Sequence, residues 1–155
     1  MNEKRAFLKK EYLPLIDTID ASKEGNFGLM TPQHMIEHMT QVFKASTKRY
    51  GEPEGEPTKS ALGFKRFIAK GAVLKYRPSD KTKADLPALK YETFEEAKAA
   101  LLEGVNRFYA HYDANADFLS YSPVMGEFSF DEWELFHYMH ARHHLYQFSA
   151  IAVYP

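Results

Sequence analysis

Residues 130–150, FDEWELFHYMHARHHLYQFSA, constrain the fold more than any other stretch of the chain. They hold four of its seven histidines, His137, His140, His143 and His144, together with its single tryptophan, Trp133. With about 100° of rotation per residue, a helix places His140 and His144 one turn apart on the same face. Trp133, Phe148 and Ile151 share that face, so the pattern predicts that it is buried. A helix with imidazoles on its buried face needs other helices to enclose them. His137 sits beside the pair. His143 is rotated about 60° from His140 and about 100° from His144, and is expected to point elsewhere. Ser129 followed three residues later by Glu132 forms a capping box that starts the helix. Two inward imidazoles at i and i+4 can grip one metal ion. They can equally be structural, each donating to a carbonyl and accepting from a hydroxyl. A third ligand from another segment would favour the metal.

The rest of the chain supplies the enclosing helices. Phe7, Leu8, Tyr12, Leu15, Ile16 and Ile19 recur at helical spacing, with Pro14 as a kink or a late start. Residues 20–30 contain Gly25, Asn26 and Gly28 and read as a turn. Thr31-Pro32 is a cap followed by proline at the first helical position, opening a helix striped by Met35, Met39, Val42 and Phe43. Residues 51–59, GEPEGEPTK, form a loop; Ser60 is expected to cap a short helix stopped by Gly71. After a second polar loop at 76–87, Thr93 and Glu96 form another capping box. It starts a long helix striped by Phe94, Ala97, Leu101, Val105, Phe108 and Tyr112. No stretch alternates with period two over strand length. These patterns predict a single all-α domain over residues 1–155. It would be a four-helix bundle with core helices near 3–19, 32–50, 94–113 and 130–152, a short helix near 61–70, and a long crossover between the second and third core helices.

Composition narrows the function. The 155 residues carry a formal net charge of -1, so no basic surface points to nucleic acid or to an anionic membrane. The chain has no cysteine, which excludes disulfides, thiolate metal sites and a cysteine nucleophile. No apolar run reaches spanning length and the charged start MNEKRAFLKKEY does not read as a signal peptide, so a cytoplasmic protein is expected. There is no GxSxG, P-loop or dinucleotide fingerprint.

The second helix offers the third ligand. His34 and His38 form another HxxxH pair. His34 lies in the first turn, on the solvent side, while His38 borders the Met35/Val42 stripe and is the better inward candidate. His111, near the end of the third helix, reads as incidental, and Glu37 and Glu134 read as solvated. TPQHMIEHM on the second helix and HARHHLYQF on the last resemble the DinB/YfiT-like superfamily of metal-dependent four-helix-bundle proteins. Its members carry one histidine on helix two and an H-x-x-H-H-x-x-Q motif on helix four. The likeness is closer to an uncharacterised branch with a Pro-x-x-Gly loop and a tryptophan before the final helix, here PVMGEFSFDEW. The resemblance implies His38, His140 and His144 as metal ligands, in agreement with the spacing. Leu145-Tyr146 stands where many relatives have Arg-Gly, and His34 and His137 are additional to the pattern.

Three neutral imidazoles suit a divalent transition metal, Zn²⁺ or Ni²⁺ foremost, rather than oxygen-seeking Mg²⁺ or Ca²⁺. His34, His137, Trp133, Tyr138 and Gln147 are candidates to line the pocket. Two functional readings stay open. One is a metal-dependent enzyme acting on a small molecule, for which the resemblance implies a thiol S-transferase or hydrolase-like activity. The other is a non-catalytic metal-binding or interaction protein. A homodimer is expected in either case.

Overall fold

The computed structural model describes residues 1–71 and 73–153. Its elements follow in order as α1 (Glu3–Ala6), a π-helical turn (Phe7–Glu11), α2 (Tyr12–Ile16), α3 (Pro32–Ala45), α4 (Lys59–Ala69), a 3₁₀ turn (Lys83–Asp85), α5 (Phe94–Ala114), β1 (Ser120–Ser122), β2 (Gly126–Phe128) and α6 (Phe130–Gln147).

The expected all-α four-helix bundle is corrected by the hairpin. β1 and β2 pair antiparallel, Ser120 opposite Phe128 and Ser122 opposite Gly126. Each strand has only three residues, too few for a period-two pattern to show in the sequence. Gly126 takes the positive φ of 79° that brings the chain into the second strand. α3 stops at Ala45 rather than continuing to residue 50, because the chain beyond it joins the hairpin. The Ser46 hydroxyl turns back to donate to the Phe43 carbonyl at 2.6 Å. Tyr50 N–H then donates to Tyr121 O at 2.8 Å, and Tyr121 N–H to Lys48 O at 3.1 Å. Arg49 pins the arrangement by donating to Glu127 at 2.9 Å and to the Leu119 carbonyl at 2.8 Å.

The first helical segment is interrupted rather than continuous. Proline cannot donate a backbone hydrogen bond, and its ring crowds the carbonyl four residues earlier, here that of Lys10. The wider π turn falls on that position, with Tyr12 N–H reaching back to the Phe7 carbonyl. α4 begins two residues earlier than expected because Thr58, not Ser60, caps it, accepting from Ala61 N–H at 3.1 Å. α5 and α6 open on the capping boxes Thr93/Glu96 and Ser129/Glu132.

α6 ends at Gln147 rather than near 152. Ser149 takes φ 59°; Ser149 N–H donates to Tyr146 O at 3.1 Å and Ala150 N–H to Leu145 O at 2.8 Å. This is a Schellman closure with serine at the left-handed position. Asn26 completes it from the 20–30 turn: its backbone N–H donates to Gln147 O at 2.8 Å and its amide to Tyr146 O at 3.2 Å.

α5 packs chiefly on α3, while α4 and the first helical segment pack on α6. The apolar stripes meet in one core that includes Leu8, Tyr12, Met39, Phe43, Leu101 and Phe108. Two glutamates expected in solvent serve this packing. Glu134 is buried and accepts from Tyr109 Oη at 3.0 Å and Asn2 Nδ2 at 2.8 Å, holding the start of the chain against α5 and α6. Glu37 accepts from the backbone N–H of Lys90 at 2.7 Å and of Tyr91 at 3.1 Å, fixing the long connection to α3 beside His38.

Candidate metal centre

Three imidazoles converge where α3 crosses α6. The Nε2 atoms of His38 and His140 lie 3.1 Å apart, and those of His140 and His144 lie 2.9 Å apart. One ligand atom from each of the three histidines falls within 4.8 Å of the others. His140 and His144 are buried, and His38, reaching in from α3, is the most accessible of the three. Burial lowers the pKa of all three. His144 is held down to about 3, and His140 is depressed further by the imidazoles around it. They are therefore neutral near pH 7, the state in which imidazole is a metal ligand.

Hydrogen bonding fixes one tautomer. Gln147 donates its amide to the Phe27 carbonyl at 2.9 Å, so its Oε1 faces His144 Nδ1 at 2.7 Å as an acceptor. His144 therefore carries its proton on Nδ1 and presents a lone pair at Nε2. His140 Nε2 meets both His144 and His38, and one proton cannot point at both. The other ring nitrogen of His140, Nδ1, is buried and has no partner. Three neutral imidazoles packed this way lack the protons to bond one another fully. A cation among them would take a lone pair from each. Separations of 2.9 and 3.1 Å approach those of neighbouring ligands on one ion with M–N bonds of roughly 2.0–2.1 Å. The donor set thus fits a divalent transition metal.

The other histidines have separate work. His34 bonds Thr31 Oγ1 at 2.7 Å and the Pro87 carbonyl at 3.0 Å, so both nitrogens serve to tie the connection to the start of α3, and it does not reach the triad. His143 points away from the triad, toward the Leu74 carbonyl at 2.9 Å and the ring of Phe27. His137 is fully buried. It is stacked on Phe43 with ring centres 3.8 Å apart and lies against Trp133 at 5.2 Å. Neither of its nitrogens has a partner, and burial takes its pKa to about 3. It belongs to the aromatic core, not to a pocket wall. Tyr138 lies on the far side of α6, edge-on to Phe7, where its hydroxyl accepts from Arg142 at 2.6 Å.

A cleft of about 580 Å³ opens beside the triad, with His38 and His140 in its wall. Trp133 lines it, its indole N–H anchored on Ser120 Oγ at 2.5 Å. Phe64 of α4, Phe136 of α6 and Met125 of the hairpin turn complete the wall, and Gln41 and Ser60 stand exposed at the rim. A larger hollow of about 670 Å³ under residues 50–58 does not reach the histidines.

Sequence reasoning missed what the GNFG turn does. Gly25 and Gly28 let the turn lie against Gln147. At Gly28, with φ +78°, a Cβ would come within 2.9 Å of Gln147 Nε2; at Gly25 it would come within 3.0 Å of Gln147 Cγ. Two glycines in four residues were the available signal, although nothing local says which side chain they approach. Phe64 and Met125 were missed because their place on the cleft depends on α4 and the hairpin packing near α6.

Residues 18–150 match a family described as a protein of unknown function, DUF1569. No curated protein and no solved structure matches the chain.

Proposed function

Since the chain belongs to the DUF1569 family, whose description assigns no activity, we propose a function from the site: a divalent-metal-dependent enzyme of transferase or hydrolase-like chemistry on a small molecule. The observation that carries this reading is that three neutral imidazoles meet beside a cleft large enough for a ligand, with His38 and His140 in its wall. A bound Zn²⁺ or Ni²⁺ would supply Lewis acidity and make a water or a thiol a better nucleophile near neutral pH. The chain's own residues do the rest. His38 supplies a lone pair from α3 and His140 and His144 supply theirs from α6. Gln147 holds His144 in the Nδ1–H tautomer. Phe64, Phe136 and Trp133 keep water from one side of the site. The histidine pattern shared with the DinB/YfiT-like superfamily supports the same assignment.

Protein purified without an affinity tag or added metal is expected to carry about one equivalent of transition metal. His144→Ala should reduce it to near zero, since two imidazoles rarely retain an ion, whereas His143→Ala should keep it. Equal loss from both variants would remove the metal site, and with it the enzyme. Turnover of an electrophile with water or a thiol, abolished by chelator and restored by metal, would establish the activity.

A further inference from the structure

The wall of the cleft indicates what it holds. Its aromatic side is continuous: Phe136 stacks on His140 with centres 5.0 Å apart at 21°, meets Phe64 edge-on at 5.4 Å, and is tilted against Trp133 at 5.8 Å. Stacked, edge-on and tilted contacts all occur within this cluster, the geometries by which aromatic rings pack on one another. Among the described residues, and apart from the histidines, the polar side chains lining it are Gln41 and Ser60 at the rim, with no carboxylate, lysine or arginine. Two cations of the flanking segments are engaged in ion pairs. Lys65 pairs with Glu132 at 3.2 Å, and Arg49 pairs with Glu52 and Glu127. Across the opening, the turn between β1 and β2 carries Met125 and Val124, and Val124 is 77% exposed. An exposed valine at a hairpin tip that lines the cleft is apolar surface a bound apolar ligand can contact.

We infer that the cleft binds an uncharged aromatic group, placing that part of a substrate against Phe136 and Trp133 beside the three imidazoles. Apart from an ion held by the imidazoles, a carboxylate-bearing thiol or other small anion would meet no cation among the described lining side chains and would lose hydration without compensation. The cavity volume, about 580 Å³, lies within the range of small-molecule sites, roughly 300–1,000 Å³. The inference rests on the proposed metal site only for its meaning in catalysis; the binding itself depends on the cleft wall.

Trp133 is the chain's only tryptophan and lines the cleft, so its fluorescence reports occupancy directly. The full chain, as purified and again after chelation, is titrated with benzyl alcohol, benzoate and reduced glutathione. Benzyl alcohol is expected to bind saturably in the millimolar range with or without metal; in the chelated protein, where no ion can ligate them, benzoate and glutathione should bind about tenfold more weakly or not at all. Val124→Asp, at an exposed position that the fold does not need, should weaken benzyl alcohol about fivefold with an unchanged melting temperature. Ala45 at the end of α3 also lines the cleft; Ala45→Lys places a cation in the wall and should raise the chelated protein's affinity for benzoate relative to benzyl alcohol. Absence of saturable benzyl alcohol binding, a preference of the chelated wild type for the anions, or indifference to both substitutions would overturn the inference. Loss of metal in the His144→Ala experiment bears on the metal centre alone. The two readings therefore fail separately.

Discussion

Two residues beside the triad are opposites in hydrogen bonding, and their replacements should differ accordingly. Gln147 has both ends of its amide engaged, on His144 Nδ1 and the Phe27 carbonyl. Gln147→Leu keeps the volume and removes the acceptor, so His144 is free to place its proton on Nε2, where it blocks ligation. Metal affinity should fall about 10–100-fold, the usual cost of losing such a partner, with metal content measured by competition against a chelator. His137 lacks partners at both nitrogens, in a stack with Phe43 and Trp133. Its folded pKa near 3 is lower than its ordinary value of 6.5. The unfolded chain therefore binds a proton that the folded chain refuses as pH falls below about 6.5. Stability is lost over that window at up to about 1.4 kcal/mol per pH unit from this residue. His137→Phe should leave metal binding intact and flatten the decline in melting temperature between pH 7 and pH 5. A decline as steep as that of the wild type would show that His137 is not the buried neutral imidazole described.

At the scale of elements, the candidate metal centre depends on a turn as much as on two helices. The GNFG turn closes the end of α6 through Asn26 and seats Gln147 through the Phe27 carbonyl. Gly28→Ala combines a positive φ with a Cβ placed 2.9 Å from Gln147 Nε2. It should cost more than about 1 kcal/mol in chemical denaturation and weaken metal binding in step with Gln147→Leu. The caps at Thr31, Thr93 and Ser129 were legible in the sequence because the signal is local: a proline after Thr31, and a glutamate three residues after Thr93 and Ser129. The stripes of α3 and α5 were legible because amphipathic helices repeat their pattern over several turns. The three histidines were legible through i, i+4 spacing on α6 and a lone inward candidate on α3. What was not legible is set by contacts between distant segments. The hairpin is paired with residues 48–50, Glu134 is buried by Asn2 and Tyr109, and α6 is ended by Asn26. None of these partners lies close enough in sequence for periodicity to reveal it.

For the whole molecule, the metal should act as a clasp between segments distant in sequence. Among the described residues the triad joins α3 to α6 across 102 positions, from His38 to His140. α3 packs chiefly on α5 and only lightly on α6, so a ligand set that spans α3 and α6 strengthens one of the thinner seams. An ion that binds the folded chain and not the unfolded one stabilises by mass action, about 2.7 kcal/mol at a hundredfold excess over Kd. For a chain of this size each kcal/mol moves the melting temperature by roughly 2–4 °C. Chelation should therefore lower the midpoint by about 5–10 °C, and adding back Zn²⁺ or Ni²⁺ should restore it. His144→Ala should melt at one temperature with or without chelator, because it has no ion to lose. His143→Ala should keep the full metal-dependent shift while melting lower in both states, since it gives up its bond to the Leu74 carbonyl. A chelator-dependent shift that persists in His144→Ala would place the stabilising ion somewhere other than among these three imidazoles.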